Sequence, residues 1–158
     1  MKRFKIIIFL CISLCAAVPS FPQSHPNSLY LEVGGSGAFY SINYDRLIGS
    51  HFGARVGFSY FADLILPGFS AYLYPVSLNC FIGEGSSKLE LGVGMTFIRG
   101  EIRWFGDDAT GNAIFPNLNI GYRYQSEDGG FLFRIGFTPL ITRHYFQPWG
   151  GLSAGFSF

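Results

Sequence analysis

Large apolar side chains alternate with small or charged ones along most of this chain, and the period is two. In residues 51–61, Phe52, Val56, Phe58 and Tyr60 fall on one phase, while Gly53, Arg55, Gly57 and Ser59 fall on the other. In 88–99, Leu89, Leu91, Val93, Met95 and Phe97 alternate with Glu90, Gly92, Gly94 and Thr96. In 130–141, Phe131, Phe133, Ile135 and Phe137 alternate with Arg134, Gly136 and Thr138. A period of two belongs to strands, whose successive side chains point to opposite faces. One face of the resulting sheet is bulky and apolar, and the other is built of glycine, serine and full charges.

Turn signals rich in Gly, Ser, Asp and Asn cut the chain into eight strand-like runs, 29–35, 38–47, 51–61, 70–81, 88–99, 114–125, 130–141 and 150–158. No apolar segment of helical period remains beyond the leader. Connections tend to alternate short and long after the first hairpin, which suits an up-and-down arrangement. Pro116 and Pro139 are expected near a rim, and Pro75 is expected to mark a bulge, because proline removes a ladder donor.

The decision about which phase faces inward rests on space and on charge. Eight strands close into a barrel whose interior is only just wide enough for side chains to fill, so the Gly and Ser phase fits inside and the aromatic phase would overfill it. A soluble sandwich would reverse this and show water a face of glycine columns, whereas solvated strands carry Lys, Glu and Thr. Charged residues make up only 13% of the chain, about half the usual share, and beyond the leader Lys88 is the sole lysine, read as a turn residue. Tyr40, Tyr44, Tyr60, Tyr72, Tyr74, Tyr122, Tyr124, Tyr145 and Trp149 are candidates for aromatic girdles at two membrane interfaces. The fold class that follows is all-β, an eight-stranded antiparallel up-and-down transmembrane β-barrel preceded by a cleavable signal peptide.

Residues 1–19 supply that signal: Lys2, Arg3 and Lys5 precede an apolar stretch from Ile6 to Leu14, with Ala16 and Ala17 at its exit. The stretch is too short to span ~30 Å of hydrocarbon as a helix. Cleavage after Ala17 and after Ser20 are both open, and Leu14 before Cys15 argues against lipidation. A linker at 20–28 then leads into the barrel at 29–158. Loss of Lys2, Arg3 and Lys5 leaves the exported chain slightly acidic, which excludes nucleic acid as a partner on charge. Cys80 shares a phase with Val76 and Leu78, a position for apolar packing and not for a nucleophile.

The inward phase carries Glu32, Asp45 and Glu90 together with Arg55, Arg123 and Arg134, helped by Asn43, Asn79, Asn117 and Asn119. Buried charge survives only when paired and hydrogen-bonded, and the planar guanidinium fork can hold two carboxylates at once. A salt-bridge network that plugs the lumen is therefore expected, with a catalytic carboxylate pair or a polar conduit as the functional alternatives. His25 in the linker, His51 at a turn and His144 in the last loop are read as ordinary loop histidines, so no catalytic residue is assigned. Asp107, Asp108 and Asn112 lie close together but lack the alternate-position ligands of a calcium loop, and no metal or cofactor is expected.

Taken over 29–158, the chain resembles the small eight-stranded outer-membrane β-barrel proteins of the OmpA transmembrane-domain, OmpX and OmpW kind. The resemblance rests on the strand number, on the outward apolar phase, on segments such as "YSINYDR", "PVSLNCFIG" and "LELGVG", and on the last strand "GLSAGFSF". It implies that Phe156 and Phe158 form the signal read by the barrel-assembly machinery, and it implies nothing about catalysis. The expectation is a monomer in outer-membrane lipid with a plugged lumen and a structural or surface-interaction role. Two rival readings are a narrow barrel that binds or passes small apolar solutes and an outer-membrane lipid-modifying enzyme acting through His51 or His144.

Overall fold

The computed structural model describes residues 25–62, 68–104, 107–141 and 146–158. The leader at 1–19, the linker up to residue 24, and His144 and Tyr145 lie outside those residues. Eight long strands carry the fold: β1 (Asn27–Gly34), β2 (Tyr40–Ile48), β3 (Phe52–Ala62), β4 (Phe69–Ile82), β5 (Ser87–Trp104), β6 (Asp107–Gln125), β7 (Gly130–Phe137) and β10 (Gly150–Ser157). Two short pieces, β8 (Leu140–Ile141) and β9 (Phe146–Gln147), belong to the connection between β7 and β10.

Each long strand pairs antiparallel with its chain neighbours, and β10 closes the ring against β1 from Ser28 opposite Ser157 to Gly34 opposite Gly151. Closure removes the unpaired edges that an open sheet would present. Phe158 extends the seam beyond the strand, since its N–H donates to the Asn27 carbonyl at 2.8 Å and its carbonyl accepts from the Asn27 N–H at 3.1 Å.

The aromatic phase is outside. Phe52, Val56, Phe58 and Tyr60 of β3 are exposed, as are Leu89, Val93, Met95 and Phe97 of β5 and Phe131, Ile135 and Phe137 of β7. On the opposite phase Arg55, Glu90, Thr96 and Arg134 are buried. Glycine makes this geometry possible where walls and lumen contents meet. A Cβ on Gly94 would press on the Val76 carbonyl oxygen and would stand 2.8 Å from both Asn117 Oδ1 and Ser77 Cβ.

Several expectations need correction. Pro75 marks no bulge: Phe52 opposite Cys80 and Ala62 opposite Ser70 keep one register along β3 and β4, with the ladder interrupted only beside the proline. A buried proline facing the lumen can drop a donor without adding a residue to the strand. Lys88 is no turn residue; it is the second residue of β5, faces inward and is 5% exposed. The loop expected at 100–113 is largely a hairpin, because β5 and β6 stay paired from Ile98 opposite Ala113 to Trp104 opposite Asp107. β7 stops at Phe137, two residues before Pro139, instead of running to 141.

The first hairpin differs most from expectation. Gly35–Gly37 forms a single 3₁₀ turn whose three residues are all buried, folded into the end of the lumen. Gly35 has φ 65°, and a Cβ there would collide with the Glu32 carboxylate. At this end Phe61, Ala71 and Leu73 also point inward, against Ala38, Phe69 and Ile98. The inward phase is thus polar in its middle and apolar at this mouth.

Substituting Gly94 by Val should destabilise the barrel by about 1–3 kcal/mol through overpacking. The measurement is the urea midpoint of detergent-folded protein, followed by the fast-migrating unheated band on a gel. Val93→Leu on the outward face should leave that midpoint unchanged.

Candidate functional site

Six strands carry the charges expected in the lumen, Glu32 from β1, Asp45 from β2, Arg55 from β3, Glu90 from β5, Arg123 from β6 and Arg134 from β7, and β5 adds Lys88. None of the six expected charges is more than 3% exposed. Strand pairing alone would set like charges side by side, since Arg123 lies directly opposite Arg134, and Lys88 directly opposite Arg123. Such neighbours repel across a sheet. The acids that compensate them come from other walls.

Arg134 is the centre of the arrangement. Its Nε and Nη2 donate to Glu90 Oε2 and Oε1 at 2.8 and 2.7 Å, a bidentate fork, and its Nη1 donates to Glu32 Oε1 at 3.3 Å and to Ser153 Oγ at 3.2 Å. Arg123 donates through Nη1 to Asp45 Oδ2 at 2.5 Å, through Nε to Gln125 Oε1 at 2.9 Å and through Nη2 to Ser28 Oγ at 3.2 Å. Arg55 stands opposite Asp45 in the ladder yet turns away from it, with Nη1 3.5 Å from Glu32 Oε1. Its remaining nitrogens donate to Ser77 Oγ at 3.1 Å and to Ser36 Oγ at 3.0 Å, the latter in the tucked turn. Asn119 completes the Glu90 shell by donating to Oε1 at 3.0 Å.

Two aromatic rings that face inward lie against the guanidiniums, Phe81 with its centroid 4.9 Å from Arg123 Cζ and Tyr30 with its centroid 5.0 Å from Arg134 Cζ. A cation over an aromatic face is favoured, and more so out of water. The tucked turn is tied to the walls as well: Thr96 donates to the Ser36 carbonyl at 3.0 Å and Trp149 Nε1 to the Gly35 carbonyl at 3.1 Å.

All six charges singled out from the sequence meet here. Tyr30, Phe81, Lys88, Ser36 and Gln125 were not anticipated. Tyr30 and Lys88 carried a usable signal, since each stands two residues from an inward acid, Glu32 and Glu90. Phe81 carried the same signal, standing two residues from the inward Asn79, whereas the turn at 35–37 carried none, because its inward direction depends on closure of the ring. Phe156 and Phe158 are half-exposed on the outer surface, with ring centroids 5.7 Å apart. His51 is more enclosed than an ordinary loop histidine: it is 7% exposed, and its Nδ1 lies 2.8 Å from Ser50 Oγ. Asn112 is exposed on β6 opposite Arg99.

Removing one partner from a buried pair leaves an uncompensated charge, which costs about 3–5 kcal/mol. Arg134→Met should therefore lower the unfolding free energy by that amount in a urea titration read by tryptophan fluorescence. Arg134→Lys should recover little of it, because a point ammonium cannot bridge Glu90 and Glu32 together.

No protein-family model matches the chain, and no curated protein matches it. Among solved structures, the N-terminal β-barrel domain of Pseudomonas aeruginosa OprF superposes with a TM-score of 0.64 at 13% identity, over 85% of this chain and all of that one. Neisserial surface protein A, NspA, gives 0.53 at 16% identity over 83% of this chain and 92% of its own. Ail, the attachment invasion locus protein of Yersinia pestis, gives 0.54 at 12% identity over 84% and 97%. All three are eight-stranded outer-membrane barrels. With the closed antiparallel ring, the outward apolar phase and the charged lumen, this likeness makes the fold of the chain that of the small eight-stranded outer-membrane β-barrels.

Proposed function

We propose that this protein is an integral outer-membrane barrel, sealed to solutes and without catalysis, whose role is structural or one of surface interaction. The observation that carries the reading is the inside-out distribution of residues. Apolar side chains such as Val33 (68% exposed) and Leu78 (65% exposed) cover the outer wall, while paired charges fill the interior. A barrel in lipid satisfies its backbone internally and needs this inversion.

In that orientation the chain termini and the turns at 49–51, 83–86 and 126–129 face the periplasm, and the hairpin of β5 and β6 projects outward. The Arg134 cluster and the tucked turn with its apolar neighbours are two seals in series. The surface role is supported by the hairpin. Among the described residues, β6 pairs only with β5 from Asp107 to Pro116, and meets β8 first at Asn117. Such a strand edge offers unpaired N–H and C=O groups to an extended segment of another protein.

Liposomes holding the folded protein should stay impermeable to potassium chloride and to small sugars. Steady flux of either, or of a small apolar solute, would favour the conducting reading instead. Delivery should depend on the aromatic side chain at 158: Phe158→Ser should fold from urea into detergent as the parent does, yet reach the outer membrane in reduced amount, measured by fractionation of cells.

A further inference from the structure

A row of glycines crosses four of the eight strands of the barrel along the hydrogen-bonding direction. Gly34 of β1 is opposite Gly151 of β10, Gly151 is opposite Gly136 of β7, and Gly136 is opposite Gly121 of β6. All four belong to the inward phase, so no side chain holds the wall away from what lies inside it. A Cβ on Gly136 would stand 2.6 Å from Asn119 Oδ1, and one on Gly151 would stand 2.8 Å from the Gly35 nitrogen. The wall rests directly on Asn119 and on the tucked turn, and its outer surface is dented. Gly150, on the outward phase, deepens the dent by omitting a side chain there.

The result is a shallow groove, open to the side, with about 600 Å³ of accessible space on the outer surface. Its walls are Val33, Ile120, Ile135, Phe137 and Leu152, and no polar side chain lines it. It lies at the loop ends of β1, β7 and β10. The six steps from Asn27 to Val33, at about 3.3 Å each and tilted by about 40°, put it about 15 Å above the periplasmic strand ends. That height is inside an apolar band ~25 Å tall and in its outer half.

We propose that this groove is a binding site for one acyl chain of an outer-leaflet lipid. The proposal rests on the membrane orientation given above. Its occupant follows from the lining and the depth: a site without a polar side chain, open sideways within the hydrocarbon, selects a flexible saturated chain over any solute that must hydrogen-bond.

The test is native mass spectrometry of the detergent-folded protein with dipalmitoylphosphatidylethanolamine added as the probe. The wild type should retain one lipid per barrel at collision energies that strip the rest. Val33→Phe and Leu152→Phe, which fill the groove from its two walls, should each retain at least tenfold less, while Val93→Phe on β5 should behave as wild type. Equal retention in all four proteins, or none in the wild type, would overturn the proposal. So would doubled masses that disappear on Val33→Phe, which would make a second copy of the chain the occupant. The heat-dependent gel shift separates the two readings. If it is absent in the wild type the membrane barrel itself fails, and if it is present without lipid only the groove does. A variant that lacks the shift has not folded, and the other groove variant then decides.

Discussion

A guanidinium taken out of water has to find acceptors for a fixed planar fork of N–H groups, and Arg134 finds them on three other strands at once. Glu90 holds one edge of the fork, Glu32 and Ser153 the remaining nitrogen, and the Tyr30 ring covers one face. These partners can all be reached only if β1, β5, β7 and β10 curve around a lumen of one particular width. Charge pairing thus acts as a gauge for the barrel's diameter, alongside strand number and stagger.

The gauge has consequences for the rest of the inner surface. Because the central layer is filled by long side chains, the positions beside them must be small. Gly92 has Asn79 and Asn119 where its own side chain would go, and Gly53 has Phe81 and Asp45. The outer surface is under no such restriction and takes the bulky residues, with Tyr60 and Tyr72 packed at 4.7 Å and Phe58 and Tyr74 at 5.5 Å between ring centroids. A soluble barrel of the same shape would need the opposite allocation.

Much of this was legible in the sequence, for a definite physical reason. A period of two states which residues share a face, and the crowding of an eight-stranded lumen states which face is inside, so Glu32, Asp45, Arg55, Glu90, Arg123 and Arg134 could be assembled without coordinates. What period cannot state is height. Phe61, Leu73 and Phe81 lie on the inward phase like the arginines, but near the mouths, where apolar bulk closes the lumen instead of overfilling it. Composition misled at the hairpin of β5 and β6, whose Gly, Asp and Asn residues look like a loop although two adjacent strands zip there without a break. The 3₁₀ turn at Gly35–Gly37 was hidden because its partners, Arg55, Thr96 and Trp149, are brought together only by ring closure.

The ion pair between Glu32 and Arg134 joins residues 102 positions apart in the chain. Arg55 can meet Glu32 early, since the two are 3.5 Å apart and both lie within the first three strands, but the hydrogen bond from the Arg134 fork waits until β7 has emerged. Contacts of such long sequence separation form slowly, because the loop entropy is lost before the interaction is gained. The chain has every reason to remain hydrated and open until β7 and β10 arrive, so that entry into hydrocarbon and closure of the ring become one cooperative event.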